Sequence, residues 1–422
     1  MNFLKKDSLI KNISLLITGT VIAQVIPIAL QPILKRIYTP ETFGVFEIYL
    51  KTLGILFVVY TFKYEMAIIL PKNRIKALLL LNLSVISSLV FTVLFSFLIW
   101  FFDNEILSIL NIHKKYILAL YLLPISILFF SLYQTFNYLL IRNKKFFASS
   151  TNKIYKRGSE GLIQTSAIYA APLKFSGLFW GDLIGNIIAS ISAYYQNFKH
   201  LKFETRLFKP KLLLHVAKEY SDLPKYNIIP ELLNTGFLAA VSFLVLAKFD
   251  ITSVGYIELT QRILAIPSAF IALSVGQVLL QKTTELINKR EPILSSINKI
   301  FLGLLIITIP FVLIILFFAE PIFEFAFGLE WRISGLYSKY LIIFYALAFL
   351  VSPLSQVLIS LKEFKINAVW KIGRFFFILP LFFINYETVD NYLISYSIIG
   401  ALSYIVYFFI VIFYSRKYDK TL

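Results

Sequence analysis

The sequence predicts an all-α polytopic membrane protein, with about twelve transmembrane helices in two six-helix bundles. Three observations lead to this. Mean hydropathy is +0.77 and only 15% of residues are charged, which is more apolar surface than a soluble chain of this length can hide. Apolar runs of roughly 18–25 residues recur between short polar loops, each long enough to cross a bilayer core. Lys and Arg concentrate in alternate loops, as the positive-inside rule requires.

Along the chain, the run 12–34 follows Lys5 and Lys6 as a signal peptide would. No small-residue cleavage site follows and the run is too long, so it is read as a first span. Runs 43–70, 76–102 and 116–141 come next. Span 154–173 is the most polar, because Arg157, Glu160 and Gln164 open it, and 176–198 carries Asp182 beside Gly177, Gly181 and Gly185. The second half supplies 226–248, 253–281, 293–318, 336–361, 366–385 and 391–414.

The net charge of +18 reads as topology. With the N-terminus inside, most Lys and Arg fall in inner segments and both termini are cytoplasmic. Attraction to anionic lipid head groups accounts for the remainder, and no nucleic-acid partner is expected. The chain has no cysteine, which excludes disulfides and thiolate metal sites. His113, His200 and His215 sit in loops without metal-site spacing. There is no P-loop, and no outer loop long enough to house glycosyltransferase or polymerase chemistry. A membrane glycosyltransferase or polymerase is therefore the weakest of the functional alternatives.

A basic inner linker, 199–225, divides the chain into lobes 1–198 and 226–422. A shift of 211 residues lays "FGVFEIYLK" on "VGYIELTQR", so that Gly44 meets Gly255, Glu47 meets Glu258 and Lys51 meets Arg262. A shift of 218 lays "NKKFFASSTNKI" on "LKEFKINAVWKI". Each half holds an even number of spans, so the repeat is parallel, with an expected central cavity and alternating access by rocking.

The stretch "KRIYTPETFGVFEIYLKTLGILFVVYTFKYEMAIILPK" resembles the first two spans of Wzx-type polysaccharide flippases, of the multidrug/oligosaccharidyl-lipid/polysaccharide exporter superfamily. "SDLPKYNIIPELLN" and "VGYIELTQRILAIPSAFIALSVGQVLLQ" resemble that family's seventh and eighth spans. Lys63 departs from the pattern, standing before "YE" where Arg is expected. The resemblance implies a flippase, not an enzyme, that moves undecaprenyl-diphosphate-linked oligosaccharide (O-antigen) repeat units across the bacterial inner membrane. It implies no cofactor beyond an H+ or Na+ gradient, and other polysaccharide assembly proteins as partners. A cation-coupled multidrug antiporter and a lipid II-type flippase of the same superfamily are the alternatives.

Charges inside spans mark the candidate site, since each is expensive in lipid. On a continuous helix Glu47, Lys51 and Glu65 form one stripe roughly 27 Å long. Glu47 with Lys51 is either a self-neutralising pair or part of the cavity lining, and Glu258 with Arg262 repeats the choice. A cationic cavity suits a diphosphate. Lys63 is either an anchor reaching the head groups or a cavity cation, and Lys225 either binds phosphate at the inner mouth or is an interfacial lysine. Glu65, Asp182 and Glu231 are the cation-coupling candidates. Pro27, Pro32, Pro224 and Pro230 are hinges or static bends.

Overall fold

The computed structural model describes residues 3–166, 169, 175–199 and 209–422. The tail of the expected fifth span, Lys174, and residues 200–208 of the expected linker with His200 lie outside the described residues. All regular structure among the described residues is helical. The protein is thus an all-helical polytopic membrane protein, built as two compact units, Met1–Leu246 and Ala247–Leu422. The first unit continues past the expected linker to take in most of the seventh expected span.

The first unit comprises α1 (Phe3–Ile37), α2 (Pro40–Tyr60), α3 (Tyr64–Ala67), α4 (Arg74–Ile109), α5 (Ile117–Arg142), α6 (Phe146–Ser166), α7 (Gly177–Phe198), α8 (Pro210–Glu219) and α9 (Asp222–Lys248). The second comprises α10 (Ile251–Leu264), a π-helical turn (Ser268–Ala272), α11 (Leu273–Lys289), α12 (Leu294–Phe327), α13 (Arg332–Val351), α14 (Ser355–Ser360), α15 (Phe364–Ile378), α16 (Pro380–Phe383) and α17 (Val389–Asp419). Among the described residues, seven helical stretches are long and apolar enough to span a bilayer, and α9 with its bend makes an eighth. The other four expected spans differ for physical reasons. α6 and α7 carry polar side chains into their cores, while 253–281 and 366–385 are each interrupted.

The expected span 43–70 is not one helix. α2 stops at Tyr60, and Phe62 (φ 49°) and Lys63 (φ 61°) both adopt the left-handed region, which costs about 1–2 kcal/mol for a residue with a Cβ. Neighbours satisfy the backbone groups the break releases, as membrane breaks require. Ser87 donates to the Tyr60 carbonyl at 2.7 Å, and Arg142 donates to the carbonyls of Ile68 (3.1 Å) and Lys72 (3.3 Å). The continuous stripe joining Glu47, Lys51 and Glu65 therefore fails, because Glu65 belongs to α3. α9 bends by 47° between Asp222–Leu233 and Leu238–Lys248, across Gly236 and beyond both Pro224 and Pro230.

Helix termini carry the internal repeat more clearly than the residues between them. Thr39 caps α2, its hydroxyl accepting from the Thr42 amide, and Asp250 caps α10, accepting from the Ser253 amide; these caps are 211 residues apart. α5 ends at left-handed Lys144 (φ 57°) and α14 at left-handed Lys362 (φ 61°), 218 residues apart. Both ends close with the same pair of bonds, the amides of Lys144 and Lys145 to Ile141 and Leu140, and those of Lys362 and Glu363 to Ile359 and Leu358. That is the Schellman arrangement.

The first unit packs α6 on α1 and α7, and α5 on α4 and α7. One apolar cluster joins α3, α4, α5, α7 and α8 through Ala67, Leu80, Leu140, Ala189 and Val216. Small residues allow the closest approaches. A Cβ on Gly181 or Gly185 would lie 2.9 Å from the carbonyl oxygen of Glu160 or Lys156, so the glycines of α7 are a packing strip against α6. In the second unit, a Cβ on Gly335 would meet the Ala319 carbonyl oxygen at 2.7 Å. Gly335→Ala should therefore lower stability by about 1–3 kcal/mol. Gly303→Ala, which meets nothing within 4 Å, should cause no loss. Thermal unfolding of the two variants in detergent checks this, and equal melting temperatures would refute the packing argument.

Candidate functional site

The two charge pairs matched by the 211-residue shift form inside their own helices. On α2, Lys51 Nζ lies 3.2 Å from Glu47 Oε1; the Lys51 side chain is 30% exposed and that of Glu47 10%. On α10, the Arg262 guanidinium holds Glu258 Oε1 through both Nε and Nη2. Each cation sits one helical turn beyond its carboxylate, the favourable order for an i,i+4 pair. The carboxylates are enclosed and the cations remain partly open, so each pair presents its positive end. α10 is braced beside its pair, with the Thr260 hydroxyl at 2.9 Å from the Ser334 carbonyl oxygen and Ser334 donating to Tyr256.

The break after α2 gathers a second group. Lys63, with 8% of its side chain exposed, lies 3.9 Å from Glu231 on α9 and over the Phe57 ring at 5.4 Å. Glu65 is 1% exposed and faces both Lys63 and Glu231. Its Oε2 is buried with no hydrogen-bond partner. Lys63 is thus turned into protein instead of reaching outward as an anchor. Lys225, in the first turn of α9, is exposed and is not drawn into this group.

The third group lies on α6 and was only half visible in the sequence. Lys156 (9% exposed), Glu160 (6%), Gln164 and Asp182 (2%) are all buried. Arg157 donates to Glu160 Oε2 at 2.7 Å and, though surrounded by protein, keeps 41% of its side chain open. Asp182 accepts from Asn186 Nδ2 at 3.1 Å and lies in the field of Lys156, Glu160 and Arg157. The Tyr49 hydroxyl of α2 lies beside Asp182 and Ser126, without a completed hydrogen bond. Arg157 and Glu160 were flagged as polar residues at the start of a span. Lys156 was missed, although Asn152, Lys156, Glu160 and Gln164 recur every fourth residue on one face.

This architecture is shared with solved transporters. An inward-facing multidrug resistance MATE family transporter of the MOP superfamily superposes with a TM-score of 0.71 at 14% identity, covering 96% of this chain and 99% of that one. The lipid II flippase MurJ in an inward closed conformation gives 0.67 at 17% identity, covering 96% and 90%. A mutant of the Vibrio cholerae MATE transporter VcmN gives 0.53 at 12% identity, covering 97% of each chain. Comparison with curated proteins gives no match. The fold is the one these solved membrane proteins share. Within it, the chain matches the family described as polysaccharide biosynthesis protein over residues 33–335 and belongs to that family.

The Arg157–Glu160 bond supports a stability prediction. Arg157→Gln leaves Glu160 enclosed without its partner and should destabilise the protein by about 1–3 kcal/mol. Neutralising both members, Arg157→Gln with Glu160→Gln, should recover most of that loss. Melting curves of wild type and the two variants decide the point; a double variant no better than the single would show that the pair is not the cause.

Proposed function

We propose that this protein is a flippase for a lipid-linked saccharide, moving an undecaprenyl-diphosphate-linked repeat unit such as that of O-antigen from the inner to the outer leaflet of the bacterial inner membrane. No bond is made or broken in this reading. The sugar and diphosphate enter a cavity of the protein while the polyprenyl tail stays in lipid. The observation that carries it is family membership across a region, residues 33–335, that includes the buried pairs Glu47–Lys51 and Glu258–Arg262. Membrane helices retain such ions at a cost of roughly 2.5–3.5 kcal/mol each even on lenient scales, and partly open cations on equivalent helices suit a dianion. Fold likeness to a MATE transporter favours the rival reading, cation-coupled drug export.

Export measured as appearance of the sugar lipid in the outer leaflet separates the two. Lys51→Ala and Arg262→Ala should each reduce export at least about tenfold, the loss of one charge-assisted hydrogen bond, with protein levels unchanged. Glu47→Gln combined with Lys51→Gln should stay defective if Lys51 touches the diphosphate. Normal export by that double variant would make the pair structural. Export of cationic drugs without any sugar lipid would favour the antiporter.

Coupling to an H+ or Na+ gradient is proposed to pass through Glu65 and Asp182. Glu65 Oε2 is buried and unpartnered, a state that binding a proton or a cation would relieve. Asp182 is a second buried carboxylate, 2% exposed, whose charge a bound proton would remove. Glu65→Gln and Asp182→Asn should each make transport into vesicles insensitive to the gradient. Wild-type gradient dependence in both variants would remove these residues from the coupling path.

A further inference from the structure

We propose that Lys156, with Lys153 and Arg157 beside it on α6, forms a binding site for a phosphate-bearing anion within the first unit. The case begins with an unsatisfied cation. Lys156 is 91% buried by complement of its exposure, yet among the described residues its ammonium makes no hydrogen bond or salt bridge, and rests only 4.7 Å from the centre of the Phe130 ring. An ammonium has three donors and is strongly hydrated, so one enclosed to this degree favours an acceptor that can reach it. Asp182 attracts it but is not within salt-bridge distance, and one Asp182 oxygen is engaged by Asn186.

The surroundings fit an oxyanion. Arg157 lies one residue on, its guanidinium bonded to Glu160 yet 41% open, so the fork retains donors for a second acceptor. Lys153 lies one turn before Arg157 and donates to Thr20 of α1 at 2.8 Å. Three cations face two carboxylates, Glu160 and Asp182, leaving a net positive charge that a phosphate would neutralise. Lys156 is ten residues from Phe146 at the start of α6, about 15 Å along the helix. Cations are also retained in the repeat: the 218-residue shift carries Lys153 to Lys371 and Lys156 to Arg374 on α15.

Two sources supply this chemistry, the diphosphate of a lipid-linked sugar and the headgroup of an anionic phospholipid. The first rests on the flippase reading, whereas the site itself does not. The full-length protein in phosphatidylcholine nanodiscs is titrated with inorganic pyrophosphate and with geranylgeranyl diphosphate, and in parallel is transferred to nanodiscs containing phosphatidylglycerol. Wild type should bind at least one of these anions. Lys156→Gln should weaken that binding at least about tenfold, and Lys156→Arg should retain most of it. Lys156→Gln with Asp182→Asn, which is charge-balanced, should fold as well as wild type and still bind poorly. Binding of diphosphate assigns the first source and binding of phosphatidylglycerol alone the second; either upholds the site. Failure of wild type to bind any of the three overturns it. So does unchanged binding by Lys156→Gln, or recovery in the double variant, which would make Lys156 only a counter-ion for Asp182. If no sugar lipid is transported but pyrophosphate binding depends on Lys156, the flippase reading falls and the site stands.

Discussion

Three enclosed carboxylates, Glu47, Glu258 and Glu160, each find a cation within about one turn on their own helix, and this constraint organises much of the chain. Lys51 and Arg262 reach back one turn to Glu47 and Glu258, and Arg157 reaches forward to Glu160. Such local pairs need only their own helix, not a tertiary partner. They also fix which side of a helix is polar, and therefore which side must turn away from lipid. The packing of α6 against α1 and α7 follows from that, since its polar face has to be covered by protein or by an aqueous opening.

The same rule governs the backbone. Where α2 ends before the expected end of its run, the released carbonyls are taken up by Ser87 from α4 and Arg142 from α5. Tyr64 then ties α3 to α8 through the Ala217 carbonyl, and Lys76 ties α4 to α8 through Glu219 at 2.7 Å. The irregular segment that presents Lys63 and Glu65 to Glu231 is thus held at several points, which is what allows two residues with side chains to persist in the left-handed region.

Much of this was legible in the sequence because membrane helices announce themselves by length and hydropathy. The boundaries of α5, α7 and α12 fall within a residue or two of expectation at their starts, and the expected end of the third span, residue 102, is where Phe102 leaves helical geometry inside α4. The break at Phe62 and Lys63 was not legible, because no glycine, asparagine or proline marks it. Tertiary bonds from distant helices hold it open, and those have no local signature. The pairing of Glu47 with Lys51 was readable from spacing alone, whereas Lys63 with Glu231 joins positions far apart in the chain. Lys156 escaped notice for a different reason: polarity at the start of a span looks like a weak span until the helix facing it is known. Only then does Asp182 on α7 turn the polar face of α6 into a cluster.

The left-handed lysines that close α5 and α14 have a consequence for how the chain enters the membrane. Lys144 and Lys362 occupy turns that glycine would adopt with less strain, so an engineer seeking a more stable protein would replace them first. Both belong to short loops rich in Lys and Arg, whose count biases how a nascent helical hairpin is oriented. Relaxing the turn would remove a positive charge from the loop at the moment orientation is decided. A glycine variant could then be more stable once folded and yet be inserted less uniformly, so that yield and thermal stability would move in opposite directions.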